Sequence, residues 1–224
     1  MKTLLAIVCS ILLFTTAKSQ IYVQAGVNLS NMTTNQPSEI QKNNSLTTLN
    51  AGVLDRFKIN APLSFETGLL LEGKGSKIKI NISEEDAYTA KFNPFYLEVP
   101  ANLVYRFTFP KKMNLFIDAG PYIAMGIFGQ TKSKGNIGGV DFSNTSPIDF
   151  SNANTVNDDI AYSNANRFDY GINLGAGLDF RKMLLKVDYG FGLSQVNVNQ
   201  IDPVSSDINK NRVLSISLGV PFKL

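Results

Sequence analysis

Of the side chains that most often carry chemistry, histidine is missing from the 224 residues and cysteine occurs once, at Cys9. Histidine-dependent triads, disulfides and the usual zinc sites all need one or the other. What remains is carboxylates, lysines and hydroxyls. Glu84, Glu85 and Asp86 form one acidic cluster, and Asp202 and Asp207 with Asn209 another. Either offers the hard oxygen ligands that Ca²⁺ takes, although such clusters in polar connectors are ordinarily solvated surface charge. Gly73-Lys74-Gly75-Ser76-Lys77 has the composition of a phosphate loop without its spacing or the helix that must follow. No catalytic residue, metal site or cofactor is expected. The 21 basic and 18 acidic residues are scattered, with a net charge of +3, so nucleic acid is not an expected partner either.

The elements that hold these residues have period two. From 21 to 30 the odd positions Ile21, Val23, Ala25, Val27 and Leu29 are apolar while the even ones are polar or small, the mark of a strand with two different faces. The pattern recurs near 49–59, 63–73, 95–107, 115–127, 168–180, 183–193 and 212–222, about eight strands of about ten residues or more. Short connectors such as Asn60-Ala61-Pro62, Pro110-Lys111-Lys112 and Arg181-Lys182 alternate with long polar ones at 31–48, 74–93, 128–167 and 194–211. That alternation is the plan of a closed, antiparallel, up-and-down transmembrane barrel of the outer membrane, all-β, with both termini in the periplasm.

Ahead of it, Lys2, the apolar run 4–14 and Ala17-Lys18-Ser19 read as a secretory signal peptide cleaved after Ser19, so residues 1–19 are expected to leave with Cys9, and 20–224 to form the barrel domain. Asp55 interrupts the parity of its strand and Pro100 cannot donate a ladder bond, so a bulge is expected near each.

A soluble carrier barrel would also alternate, with its apolar face inward. The glycines decide between the two. Gly26, Gly52, Gly68, Gly120, Gly126, Gly171, Gly175, Gly177, Gly190, Gly192 and Gly219 all share the polar parity, where a narrow interior must admit bulky neighbours. The polar face therefore points inward and the apolar face to lipid. Phe57, Phe65, Tyr105, Phe107, Phe180 and Phe222 would form one aromatic girdle, and Phe95, Phe168, Tyr170 and Phe191 the other.

About eight strands enclose a lumen that side chains fill. On the inward parity near the short-turn end stand Arg56, Glu66, Arg106, Asp118, Asp179, Lys186 and Asp188; at so narrow a site they are expected to pair, with Arg106 serving Glu66 and Asp118. Lys77 and Lys79 alternate with Ile78 and Ile80 as if a strand continued above the membrane, where they could touch lipopolysaccharide phosphates; solvation of a strand edge explains the same pattern. The segment 128–167, rich in Gly, Asn and Ser, is expected to be an external loop dispensable for folding.

Gly26-Val27-Asn28-Leu29-Ser30, Phe95-Tyr96-Leu97-Glu98-Val99-Pro100, Asp118-Ala119-Gly120-Pro121-Tyr122, Phe168-Asp169-Tyr170-Gly171 with Gly175-Ala176-Gly177, and Tyr189-Gly190-Phe191-Gly192-Leu193 together resemble the PorT-like, or "porin family", outer-membrane β-barrel proteins. The resemblance implies an eight-stranded barrel of Gram-negative bacteria. One branch is associated with a protein-secretion and gliding machinery, and most members have no assigned activity. Such barrels usually end on an aromatic residue, whereas here Phe222 precedes Lys223 and Leu224. The function expected is non-enzymatic: an envelope, adhesion or secretion-accessory protein acting through loops or turns, with outer-membrane lipid, lipopolysaccharide and an envelope or secretion protein as partners. A narrow pore for ions or small solutes and a soluble secreted carrier are the alternatives.

Overall fold

The structure is a computed structural model that describes residues 19–33, 42–81, 87–109, 113–137, 139–151, 164–180, 182–196 and 210–222. In chain order its strands are β1 (Ser19–Thr33), β2 (Lys42–Asn44), β3 (Leu46–Lys58), β4 (Leu63–Gly73), β5 (Ser76–Asn81), β6 (Ala87–Thr108), β7 (Asn114–Ile137), β8 (Val140–Pro147), β9 (Asp149–Ser151), β10 (Asn164–Asn166), β11 (Phe168–Phe180), β12 (Met183–Gly192) and β13 (Lys210–Pro221).

Eight of them close a ring in the order β6-β4-β3-β1-β13-β12-β11-β7, with the β6–β7 pairing completing the circle. Every pairing in the ring is antiparallel. Closure leaves these strands no free edge, as a hydrocarbon environment requires. No helix of the described residues is long and apolar enough to cross a membrane.

The two faces sort as period two dictates. Ile123 is 66% exposed and Leu49 63% on the outer face, while inward-pointing Glu66 and Phe116 are fully buried. An exterior of Val, Ile, Leu and Phe around a charged interior is the reverse of a soluble protein and suits contact with lipid. The expected girdle residues Tyr105, Phe107, Phe180 and Phe222 at one rim, and Phe168 and Tyr170 at the other, are exposed on that outer face.

Glycine works as foreseen at the tightest points. A Cβ at Gly177 would run into the Phe116 ring, and one at Gly126 into the Phe150 ring, so both aromatic side chains occupy space that any other residue would fill.

Three expectations are corrected. The register of β3 runs unbroken past Asp55 on both sides, and that of β6 keeps its phase across Pro100. The shift lies instead between Phe95 and Tyr96, which face Phe128 and Gly126. Ile127 is the extra residue, and it swaps the parity of the remainder of β7.

The segments 74–93 and 128–167 are not plain loops. β5, the first part of β6, the last part of β7 and β8 continue the sheet beyond the ring as an apron, with β2 at one edge and β8 at the other. The β7–β8 turn is closed by Gly139 at φ 79°, whose N–H donates to Asn136 Oδ1 at 3.2 Å.

Nor is 128–167 detached from the barrel. Ile148, Phe150 and Ala165 are buried against Tyr96, Tyr122 and Ala124 and cap the lumen at the long-segment end. Tyr96 and Phe150 meet edge to face at 5.7 Å. These three apolar anchors in a polar segment are enough to bring its base back onto the barrel. Glu84, Glu85, Asp86, Asp202, Asp207 and Asn209, with residues 1–18 of the expected signal peptide 1–19, lie outside the described residues.

Candidate functional site

The lumen is filled by alternating apolar and ionic layers. Nearest the short turns, Tyr22, Leu54, Val104, Phe116 and Leu184 project inward from five ring strands and pack with Leu70. Among them lies the first ionic cluster. Arg56 on β3 donates to Glu66 Oε2 on β4 through Nε at 2.8 Å and Nη2 at 2.5 Å, and its guanidinium lies over the Phe116 ring, 4.4 Å from the centroid.

Lys186 of β12 reaches across to the same carboxylate. Its ammonium sits 3.0 Å from Glu66 Oε1, 3.1 Å from Asp118 Oδ1 and 2.9 Å from Asp188 Oδ1, with 4% of its side chain exposed. One cation thus holds three carboxylates from three other directions of view: β4, β7 and its own strand. Asn102 Nδ2 adds a hydrogen bond to Asp118 at 3.1 Å.

A second ionic cluster closes the other half. Lys74, just past the end of β4, places Nζ 2.7 Å from Glu98 Oε2 and 3.0 Å from Asp169 Oδ2, with Glu72 at 4.0 Å. It also lies 4.0 Å from the centroid of the Tyr122 ring. Asn173 donates to Glu98 at 2.8 Å, and Ser194 and Tyr122 donate to Asp169. Above these the aromatic cap of Tyr96 and Phe150 shuts the end. Buried charges at so narrow a site are tolerable when paired and hydrogen-bonded, as most of these are; among the described residues Asp118 Oδ2 has no hydrogen-bond partner, and Glu72 stands 4.0 Å from its cation.

The sequence matches the model of the outer membrane protein beta-barrel domain over residues 15–198. The chain belongs to that family. Solved structures similar to it include Neisserial surface protein A (13% identity, TM-score 0.42, covering 90% of this chain and 97% of that one). Another is the attachment invasion locus protein Ail of Yersinia pestis (14%, TM-score 0.38, 91% and 99%). A third is the N-terminal β-barrel domain of Pseudomonas aeruginosa OprF (10%, TM-score 0.32, 92% and 100%). No curated protein matches the chain significantly.

Membership of this outer-membrane barrel family gives the lumen its setting. The structure brings Arg56, Glu66, Asp118, Lys186 and Asp188 into one cluster. Arg106 and Asp179 form a separate pair, 3.5 Å apart and partly exposed at the short-turn mouth. Arg106 therefore does not serve Glu66 and Asp118, as the strand order suggested; Lys186 of β12, three strands round the ring from β6, takes that place by reaching across the lumen to end between them. Arg106→Ala should cost no more than about 1 kcal/mol, as for a solvated ion pair. A urea midpoint in micelles that fell as far as for loss of a buried ion pair would contradict this placement.

Sequence reasoning missed the Lys74 cluster. Glu72, Glu98 and Asp169 all stand on the inward parity of their strands, and that signal was available. Lys74 carries the same even parity as Glu66 and Glu72 but sits between two glycines, which suggested a loop. The strand that follows, β5, also removes the phosphate-loop reading, which needs a helix there. Among the described residues no group of acidic, Cys or His side chains is placed to hold a metal ion. Lys77 and Lys79 stand on β5 of the apron, Lys77 half-buried and Lys79 exposed.

Proposed function

We propose that this chain is a sealed, non-enzymatic barrel whose work is done by its surfaces outside the membrane, in envelope integrity, adhesion or as an accessory to secretion. The observation that carries this reading is the lumen, with two buried ionic clusters and two packed apolar layers between its ends. A path for solute would have to break ion pairs that the narrow interior cannot replace with water. The long-segment end, by contrast, builds an ordered apron well beyond the ring, and sheet of that extent outside lipid is an interaction surface by position. The short turns and both described chain ends gather at the opposite rim, which we place in the periplasm.

Planar-bilayer recording tests it. The inserted protein should give no stable channel events, whereas steady conductance that persists at neutral pH would make it a narrow pore and remove the sealed reading.

A further inference from the structure

We propose that the outer face of the apron is a phosphate-binding surface for lipopolysaccharide of the surrounding leaflet, built from lysines that the strand register aligns in two rows. In the first row Asn44 of β2, Lys77 of β5, Lys91 of β6, Lys132 of β7 and Thr145 of β8 are successive cross-strand partners. In the second the partners are Lys42, Lys79, Thr89, Lys134 and Ser143. Residues directly opposite in an antiparallel pair share a face, and so do residues two apart on a strand. Lys77, Lys79, Lys91, Lys132 and Lys134 therefore belong to one face of one sheet.

That face is the lipid side. Phe95 and Phe128, cross-strand partners on the outer surface, stack at 4.9 Å, and Lys91 and Lys132 lie four residues beyond them on the same strands and the same side. At about 3.3 Å per residue, and less in height because barrel strands tilt, the ammonium groups stand roughly 10 Å above an aromatic belt of the kind that marks the membrane interface. The β7 bulge makes this possible: without the extra Ile127, Lys132 and Lys134 would turn to the inner face.

Protection of an exposed edge does not explain the arrangement. Lys77, Lys91 and Lys132 are on strands paired on both sides at those very residues, whereas edge-guarding lysines sit on the outermost strand. Like charges directly opposite one another also weaken a sheet. Among the described residues, Lys77, Lys79, Lys91, Lys132 and Lys134 have no carboxylate partner, and the one acid on the face, Asp141, accepts from Asn136 Nδ2 at 2.8 Å. A row of cations about 5 Å apart from strand to strand, facing lipid at headgroup height, is complementary to closely spaced phosphate monoesters fixed to a lipid.

The inference rests on the membrane placement of the barrel, and the test separates the two. The full chain, folded in detergent micelles, is titrated with diphosphoryl lipid A and with the same lipid stripped of its phosphates, with binding read by native mass spectrometry. The phosphorylated lipid should bind at least about tenfold tighter, as expected when several charge-assisted contacts are added. The double variant Lys91→Gln/Lys132→Gln should lose that preference, Lys91→Arg/Lys132→Arg should keep it, and Lys58→Gln at the other rim should leave it unchanged. The single variants Lys91→Gln and Lys132→Gln, should the double variant fail to fold, should each weaken the preference.

Equal binding of the two lipids overturns the inference, as does an undiminished preference in the Gln variants or displacement of lipid A by a soluble sulfated polysaccharide at lower concentration. Heat-modifiable gel migration is recorded on every sample. A chain that never migrates as a folded barrel sinks the membrane reading as well, whereas a folded barrel blind to the phosphates sinks this inference alone.

Discussion

Lys186→Met should destabilise the barrel by about 3–5 kcal/mol, the loss expected when one partner of a buried ionic group is removed and the others stay behind. Three carboxylates, Glu66, Asp118 and Asp188, converge on that ammonium within 3.1 Å. Arg56 still satisfies one oxygen of Glu66, and Asn102 still donates to Asp118, but Asp188 is left with no cation among the described residues. The charge is the cause, not the lost volume, since methionine is nearly as long as lysine. Adding Asp118→Asn and Asp188→Asn to Lys186→Met should therefore recover part of the loss. Urea unfolding in lipid vesicles, followed by the shift between folded and unfolded bands on a gel, gives the midpoints. A Lys186→Met midpoint within about 1 kcal/mol of the parent would show that water solvates the cluster and that the lumen is not dry.

Lys74→Met should come next in size, at about 2–4 kcal/mol, because Glu98 and Asp169 lose their common cation but keep neutral donors. Asn173 remains on Glu98, and Ser194, Tyr122 and Asn211 remain on Asp169. The two clusters share no ion pair, so the Lys74→Met and Lys186→Met losses should add to within about 0.5 kcal/mol. A double variant that departs strongly from the sum would mean that charge in one half of the lumen is felt in the other, and the two halves would have to be treated as a single network.

The fold was legible because alternation is a purely local signal. Nothing beyond residues 21–30 is needed to see that Val23 and Val27 face one way and Gln24 and Asn28 the other, and the ring strands repeat this. Glycine at the inward positions then settled which face meets lipid. Charges in strand centres were legible for the same reason, since parity alone points Glu66, Asp118 and Lys186 into a narrow tube.

Who pairs with whom was not legible, because it depends on stagger between strands and on side-chain reach, and both are set by closure of the whole ring. Arg106 is two residues nearer the mouth than Val104 and, among the described residues, finds only Asp179 as an ionic partner there. The apron was hidden for a different reason: its strands are paired with one another outside lipid, so they need no apolar face, and polar stretches such as 140–147 read as loops. Phe150 shows the limit most plainly. One aromatic side chain in a run of Asn, Ser and Asp carries no period, yet its contact with Tyr96 and Gly126 closes the lumen.

The circle of strands also fixes a schedule. Its last seam joins β1 to β13, with Tyr22 opposite Pro221 and Leu29 opposite Leu214, so the first ring strand to be synthesised must wait for the last before its hydrogen bonds can be met on both sides. Until then two open edges travel together through the cell envelope, and contacts so distant in sequence form slowly. A chain that stops before β13 is not a slightly smaller barrel but a curled sheet with adhesive margins. Such a chain has to be escorted or destroyed, and the completed ring is the first state in its history that can be left alone.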